Sequence, residues 1–142
     1  MLEPASAWLL HVEDDDLCLM GMQRAFKAAK FANPISCAHD GIEALDILRG
    51  ANGRTRLPHP FLILLDLNMP RMNGLEFLRV IRADEELKRS VVFILTTSAA
   101  VEDKVMAYTL GVAGYILKSN PANAFLETTA LLHTYLRVVE LL

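Results

Sequence analysis

The chain has 142 residues, of which 53% are hydrophobic and 22% are charged, and its formal net charge is -3. This length suits one domain, and the composition excludes a disordered chain. The charge gives no reason to expect nucleic acid or an anionic membrane as a partner, and no apolar run approaches the ~18 residues of a membrane span. Residues 1–16 lack the basic start of a signal peptide. The two cysteines match no metal or redox spacing, so we expect reduced thiols and a cytoplasmic protein.

Five apolar segments alternate with five amphipathic segments along the chain. Apolar runs bounded by turn signals predict buried strands, and apolar residues at helical spacing predict the helices between them. The predicted strands cover residues 8–12, 35–38, 61–65, 91–95 and a run that ends at Lys118, and the predicted helices cover residues 17–31, the segment after Asp40-Gly41, and residues 75–83, 101–110 and 121–142. Residues 50–60 are rich in glycine and proline and predict a surface loop.

This strict alternation of strand and helix predicts an α/β fold. Its strands would form one parallel sheet with helices on both faces, joined by right-handed crossovers. The sequence contains no internal repeat and no low-complexity tract. We therefore expect residues 1–142 to form a single domain without an output domain.

Four of the predicted strands end in a residue that can do chemistry. The third strand stops abruptly at the carboxylate of Asp66, and the others end at Asp14, Thr96 and Lys118. Taken singly, each is more often a turn cap or a structural residue. Parallel strands, however, present their carboxyl ends at one edge of the sheet, where open α/β sheets bind ligands. The coincidence predicts one crevice that contains two carboxylates, a hydroxyl and an ammonium group.

Carboxylates with no imidazole or thiolate beside them favour a hard, oxygen-binding cation. Mg²⁺ is the best match, since it typically takes one or two carboxylates and keeps several waters. It would offset the repulsion among Glu13, Asp14 and Asp66 and let Asp66 approach a phosphoryl group as a nucleophile. Phosphoryl transfer depends mainly on positioning and charge neutralisation, to which Thr96 and Lys118 can contribute.

The sequence around these positions resembles the receiver domains of two-component response regulators, of the single-domain chemotaxis type. The resemblance lies in the acidic pair after the first strand and in LLDLNMPRMNG, ILTTS and GYILK, and it covers residues 8–136. It implies a flavodoxin-like, doubly wound sheet of five parallel strands in the order 2-1-3-4-5. It also implies a signalling protein rather than an enzyme, which accepts a phosphoryl group from a histidine kinase and responds with changed protein–protein contacts.

The resemblance assigns residues to the phosphoryl and metal site. Asp66 would be the phospho-acceptor. Asp14, Asp66 and the main-chain carbonyl of Asn68 would hold Mg²⁺, for which Mn²⁺ or Ca²⁺ can substitute in crystals. Glu13 would lie just behind these ligands, where it replaces the aspartate that the family more often has. The acidic run 13–16 leaves open which member binds the metal.

Other assignments concern the response to phosphorylation. Thr96 and Lys118 would contact the phosphoryl group, and Thr96 and Tyr115 would form the switch. Ser119 stands where the family usually has a proline, often with a cis bond, so the conformation of the Lys118–Ser119 peptide stays open. The loop at residues 50–60, with ILTTS and LKSNP, is similar to small receivers that partner phytochrome-type histidine kinases.

Two other functions fit parts of the pattern. A phosphohydrolase of the haloacid dehalogenase type also uses a strand-end aspartate and Mg²⁺, but it typically has a second aspartate two residues later. Asn68 occupies that position and cannot transfer a proton to a leaving group. The other alternative is a degenerate receiver that serves only as a docking module, against which the presence of Asp66, Thr96 and Lys118 counts.

The predicted last helix carries more apolar surface than one packing face requires. One set of apolar residues at helical spacing suits the sheet: Phe125, Leu132, Leu136 and Val139. A second set is turned by about one residue step, roughly 100°, around the helix. Its members are Leu131, Tyr135, Val138 and Leu142. This second set predicts a homodimer in which the last helix packs on its twofold mate, although a wide stripe against a neighbouring helix, or a chain end frayed into solvent, would also explain it.

Overall fold

The computed structural model describes residues 6–142. Residues 1–5, which belong to the segment considered above for a signal peptide, lie outside the described residues. Strands and helices alternate along the chain. They are β1 Trp8–Val12, α1 Asp16–Ala28, β2 Ile35–Ala38, α2 Gly41–Arg49, β3 Phe61–Leu65, α3 Gly74–Ala83, β4 Val91–Thr96, α4 Val101–Thr109, β5 Gly114–Leu117 and α5 Pro121–Val138. No helix in this part of the chain is both long and apolar enough to cross a membrane.

The strands form one parallel sheet in the order β2-β1-β3-β4-β5. This confirms the predicted doubly wound α/β fold and its strand order. All five residues of β3 are buried because this central strand is covered on both faces, as its unbroken apolar run indicates. Val12 pairs with Leu65 in the β1–β3 ladder, so the residues that follow these two strands emerge side by side.

A hydrophobic core lies on each face of the sheet. Helices α2, α3 and α4 cover one face and α1 and α5 cover the other. Alternate residues of β3 serve the two cores: Ile63 and Leu65 point to the first, and Leu62 and Leu64 to the second. Each fully buried side chain of this size contributes about 1.5–3 kcal/mol. The sheet is therefore a rigid base for the residues at its edge.

Local signals place the beginnings of the helices. The carboxylate of Asp15 accepts from the Leu17 N–H and caps α1. Asp40 caps α2, and Asn73 caps α3 in a reciprocal capping box. By contrast, α4 is preceded by Ala100, which provides no side-chain cap.

Arg82, at the end of α3, binds loop carbonyls at the end of the sheet opposite to Asp66. Its guanidinium group donates to the carbonyls of Leu110 and Gly111 after α4, and to those of Lys88 and Ser90 before β4. Burial lowers the pKa of Arg82. This Arg82 network joins the end of α3 to the end of α4.

The first helix is shorter than predicted. It ends at Ala28 rather than at residue 31, because Lys30 adopts a left-handed conformation with φ 55°. The Phe31 N–H donates to the Phe26 carbonyl at 2.9 Å and the Lys30 N–H to the Lys27 carbonyl at 3.1 Å, which is a Schellman motif. Phe31 and Phe26 pack with ring centroids 4.5 Å apart, the apolar contact that accompanies such a terminus.

The last helix also differs from the prediction. It ends at Val138, and Val139 is extended, so that Leu141 packs against the core and Leu142 lies outside the helix. Tyr135, predicted for the outer set, instead packs edge-on against Phe93 at 5.1 Å between ring centroids. The four-residue set predicted for a dimer is therefore wrong as a continuous helical stripe. Leu131 and Val138 remain exposed on α5.

Candidate phosphoryl-acceptor and metal site

The site is built on the hydrogen bonds that continue past the ends of β1 and β3. The Asp66 N–H donates to the Val12 carbonyl at 3.0 Å, and the Glu13 N–H donates to the Ala38 carbonyl at 2.8 Å. Both carboxylates are consequently held by backbone at the edge of the sheet. The residue exposures are 6% for Asp66 and 1% for Glu13. Two carboxylates this close and this buried require compensating positive charge.

The turn behind Asp66 is tightly packed. Its Oδ1 accepts from the Leu67 N–H at 2.8 Å, and the Gly74 N–H donates to the Leu67 carbonyl at 3.0 Å. A Cβ at Gly74 would lie 2.3 Å from the Asp66 carbonyl oxygen and 2.8 Å from the Leu67 Cα. Only glycine fits there, and the start of α3 fixes the backbone of Asp66.

Lys118 supplies the positive charge. Its Nζ lies 2.5 Å from Glu13 Oε1 and 4.0 Å from Asp66 Oδ2, and its side chain is 8% exposed. The Lys118 N–H donates to the Thr96 carbonyl at 2.7 Å, which fixes the side chain's origin at the end of β5. The sequence predicted a contact of Lys118 with the phosphoryl group but did not predict its ion pair with Glu13.

Burial sets the pKa values of this ion pair. Burial raises the pKa of Glu13 to about 7, and the Asp66 carboxylate adds to this effect, against the lowering influence of Cys18 and Lys118. Burial by itself would lower the pKa of Lys118, but the hydrogen bond and charge of Glu13 and the charge of Asp66 raise it instead. The ammonium group is therefore a permanent cation between the two carboxylates.

Three carboxylates converge in a way that fits a divalent cation. Oxygen atoms of Glu13, Asp14 and Asp66 all lie within 4.8 Å of one another. Asp14 is exposed, whereas Asp15 caps the start of α1, so the structure brings Asp14 rather than Asp15 or Asp16 to Glu13 and Asp66. One ammonium group cannot neutralise three carboxylates, and an all-oxygen donor set suits a hard cation. Asn68 lies two residues beyond Asp66 and is exposed.

Thr96 and Tyr115 are joined through Ser98. Thr96 is fully buried, and its Oγ1 accepts from the Ser98 N–H at 3.3 Å. The Tyr115 hydroxyl donates to the Ser98 carbonyl at 2.7 Å. The Ser98 hydroxyl in turn donates to Asp103 in the first turn of α4 at 2.6 Å. The role of Ser98 was not predicted from the sequence, although its position in ILTTS, two residues after Thr96, was a usable signal.

An imidazole and a thiol also lie beside Glu13, so the prediction that no imidazole would be near the carboxylates is wrong. His11 and Cys18 are both buried, and donor atoms of His11, Glu13 and Cys18 lie within 4.8 Å of one another. Burial, with the charge of Lys118, lowers the pKa of His11 to about 3. Burial, with Glu13, raises the pKa of Cys18 to about 12. The two-residue alternation of β1, which places His11 and Glu13 on one face, could have indicated the first of these contacts.

The cis peptide in the described part of the chain is His59–Pro60. The Lys118–Ser119 peptide, whose conformation the sequence left open, is therefore trans.

The fold and the strand-end site together define a receiver. The profile of the response regulator receiver domain matches residues 9–130, and the chain belongs to this family of two-component signalling proteins. Phosphorylation and Mg²⁺ binding are general features of the family, and the acidic group at this site can hold a divalent metal.

Individual relatives are similar over most of the chain. The probable methanogenesis regulatory protein FilR2 of Methanothrix harundinacea is 38% identical over 110 residues, which is 78% of this chain and 70% of the relative. Response regulator Rcp1 of Synechocystis is 35% identical over 111 residues, 78% of this chain and 76% of the relative. The crystal structure of Rcp1 with Mn²⁺ matches with a TM-score of 0.85, at 31% identity, over 96% of this chain and 99% of that one. The crystal structure of the phosphorylated cyanobacterial phytochrome response regulator RcpA matches with a TM-score of 0.87, at 32% identity, over 96% of this chain and 99% of that one.

Proposed function

We propose that this protein accepts a phosphoryl group from a phosphohistidine of a histidine kinase on Asp66, with Mg²⁺ as the metal. The observation that carries the proposal is the position of Asp66, buried beside Glu13 and 4.0 Å from the Lys118 ammonium group at the end of the central strands. We propose that the transfer takes place in the cytoplasm, where a kinase obtains its phosphoryl group from ATP.

Each side chain has a distinct role in the proposed transfer. An Asp66 oxygen forms the new bond to phosphorus, the phosphorus–nitrogen bond breaks, and its electron pair stays on the histidine ring of the kinase. Asp14, Asp66 and the Asn68 carbonyl would hold Mg²⁺, with Glu13 behind them, and the ion would supply positive charge to the phosphoryl oxygens. Lys118 pairs with one of those oxygens, and the Thr96 hydroxyl donates to another.

The product is a signal rather than a released compound. The residue two positions after Asp66 is Asn68, which cannot act as the acid that a phosphohydrolase would need. We propose that the same site assists slow hydrolysis of its own acyl phosphate and does not turn over external phosphate esters. The output is a change in protein–protein contacts of the receiver.

The test of this function is phosphotransfer from purified, phosphorylated histidine kinases in the presence of Mg²⁺. We expect one acid-labile phosphate per chain, and none after chelation of Mg²⁺. The similarity to Rcp1 and to RcpA supports a phytochrome-type kinase as the donor. Transfer should accordingly be faster from a phytochrome-type kinase than from a chemotaxis-type kinase. Equal rates would refute the choice of kinase, and labelling that ignores Mg²⁺ would refute the mechanism.

Thr96, Ser98 and Tyr115 are the proposed switch. The Thr96 hydroxyl now accepts a hydrogen bond from the Ser98 N–H at 3.3 Å. A phosphoryl oxygen on Asp66 would offer this hydroxyl a charged acceptor, and a hydrogen bond to a charged group is stronger than that neutral one. Drawing Thr96 toward Asp66 breaks that bond and moves the Ser98 carbonyl, to which Tyr115 donates at 2.7 Å. Tyr115 then changes its rotamer and packs its ring into the space that Thr96 has left.

Fluorine NMR of the protein labelled with fluorotyrosine can test the switch, because the chain has three tyrosines. Beryllofluoride, a phosphoryl mimic, should shift the resonance of Tyr115, assigned with Tyr115→Phe. Tyr135 is an internal control, since it packs on Phe93 on the other face of the sheet. The shift should disappear in Thr96→Ala. A Tyr115 resonance that stays in place when beryllofluoride binds would contradict the proposal.

The second proposal about partners is a homodimer through α5. Leu131 is 41% exposed and Val138 is 67% exposed, and both lie on the part of α5 that turns away from the core. Burying them on a twofold mate would contribute about 25 cal/mol per Å² of apolar surface. Tyr135 and Leu142, the other residues of the predicted set, can contribute only at the margin, because one packs inward and the other follows the helix.

Mass in solution tests the dimer. We expect wild type to be dimeric at tens of micromolar, and the Leu131→Glu/Val138→Glu variant to be monomeric, because two carboxylates would be buried per protomer. Leu126→Glu is the matched control: this leucine is also exposed on α5, near its start. A monomeric wild type, with and without beryllofluoride, would exclude the dimer.

A further inference from the structure

A cluster of three buried donors lies beneath the carboxylates of the phosphoryl site. His11 and Glu13 project from the same face of β1 and its extension, and Cys18 comes from the first turns of α1. Their donor atoms, an imidazole nitrogen, a carboxylate oxygen and the thiol sulfur, all lie within 4.8 Å of one another. None of the three residues is more than 6% exposed. The receiver function uses only Glu13 of this cluster.

The chemistry of the cluster differs from that of the neighbouring carboxylates. Glu13, Asp14 and Asp66 offer oxygen alone, whereas His11, Glu13 and Cys18 offer one nitrogen, one oxygen and one sulfur. The mixed set is typical of Zn²⁺ and disfavours Mg²⁺. In a tetrahedral zinc site such donors lie roughly 3.4–3.6 Å apart, given bond lengths of 2.0–2.3 Å. Because every pair of donors lies within 4.8 Å, each pair has to approach by at most about 1.4 Å to reach that spacing.

We infer that His11, Glu13 and Cys18 form a second metal site, selective for Zn²⁺ or a similar thiophilic ion, that shares Glu13 with the phosphoryl site. The binding step replaces the Cys18 S–H bond with a sulfur–zinc bond and releases the proton to solvent. A water molecule would take the fourth coordination position, as in other zinc sites with three protein ligands.

Sharing Glu13 makes the two sites antagonistic. Lys118 now pairs with Glu13 at 2.5 Å and lies 4.0 Å from Asp66. A divalent ion on Glu13 repels the ammonium group, whose nearest remaining carboxylate is Asp66. Lys118 then occupies the side of Asp66 that a phosphoryl group would approach, and Zn²⁺ slows phosphorylation. This antagonism rests on the proposed function of Asp66, but the zinc site itself does not.

Binding is tested first, without any phosphodonor. The full chain is titrated with Zn²⁺, and with Co²⁺ as a spectroscopic probe, in the presence of excess Mg²⁺. We expect one tight site and a thiolate-to-cobalt charge-transfer band. Cys18→Ala and His11→Leu should each weaken Zn²⁺ binding at least about tenfold, since even the partners of metal ligands typically contribute that much. Cys37→Ala is the matched control, because Cys37 pairs with His11 in the β1–β2 ladder yet lies outside the cluster.

Several results would overturn the inference. Absence of the cobalt band in the wild-type protein would overturn it. This result needs no variant, so it holds even if the substituted proteins fail to fold. Loss of Zn²⁺ binding in His39→Ala rather than in Cys18→Ala would place the ion at the surface group of His39, Asp16 and Glu43. In the second stage, Zn²⁺ should slow phosphorylation by a small phosphodonor in wild type and Cys37→Ala, but not in Cys18→Ala. Equal inhibition in all three would mean that Zn²⁺ simply displaces Mg²⁺ from Asp14 and Asp66.

Discussion

Replacing Asp66 by asparagine is expected to abolish phosphorylation by a histidine kinase or a small phosphodonor. The amide has nearly the same shape, but its oxygen is a poor nucleophile and it offers no negative charge to a metal. The measurement is acid-labile phosphate on the protein in saturating Mg²⁺. Asp66→Asn should remain folded, because it removes one of three converging carboxylates. A loss of labelling can therefore be separated from a loss of structure by circular dichroism and urea unfolding.

Two further substitutions make this result specific. Asp14→Asn should leave some labelling, with a lower rate and weaker Mg²⁺ binding, because Asp66 and the Asn68 carbonyl still provide oxygen ligands. Asp16→Asn is the matched control, since Asp16 belongs to the same acidic run but is exposed at the start of α1. It should be phosphorylated like wild type. If Asp66→Asn were labelled at the wild-type rate, the acceptor would be another residue.

Gly74→Ala is expected to be the most damaging of the conservative substitutions near the site. The new Cβ would meet the Asp66 carbonyl oxygen at 2.3 Å and the Leu67 Cα at 2.8 Å, and both are backbone atoms that cannot rotate away. Relief requires a shift of the turn or of α3, which we expect to lower the free energy of unfolding by about 2–3 kcal/mol. Urea unfolding measures this loss, and the displaced Asp66 should also be phosphorylated more slowly.

Gly41→Ala is the matched control for that experiment. Gly41 and Gly74 are each the first residue of a helix that is capped by the preceding side chain, Asp40 or Asn73. A Cβ at Gly41 would meet Met72, but only the flexible side chain, at 2.7 Å. Met72 can change rotamer, so Gly41→Ala should alter the free energy of unfolding by less than about 1 kcal/mol. Equal effects of the two substitutions would show that steric contact with the Asp66 backbone is unimportant.

The elements of the fold were predictable because their signals are local. The apolar run of β3, the turn residues at each strand end and the caps of α1 to α3 all act within a few residues. The ends of α1 and α5 were not, because they depend on apolar contacts that do not follow helical spacing. Lys30 adopts its left-handed conformation where Phe31 packs back on Phe26, and α5 stops where Leu141 packs against the core. Neither contact has a periodicity that a sequence displays.

The contacts between side chains within the site were harder to predict than the residues that form it. Parallel topology alone brings Asp14, Asp66, Thr96 and Lys118 to one edge, as the sequence indicated. The pairing of Lys118 with Glu13 depends on side-chain reach, which strand ends do not specify. A carboxylate that is 1% exposed needs a cation nearby, but its burial became known only from the structure.

The unequal attachment of α4 at its two ends has a mechanical consequence. The Arg82 network holds the carbonyls of Leu110 and Gly111 just after the helix, whereas Ala100 provides no side-chain cap at its start. The end of the helix is therefore held by the Arg82 network, whereas its start is tied by the bond from Ser98 to Asp103 and is the end that can move further. With nine residues, α4 is about 13 Å long, so a tilt of about 10° displaces its start by about 2 Å. The bond from Ser98 to Asp103 acts at this end of the helix, where a small force produces the largest displacement.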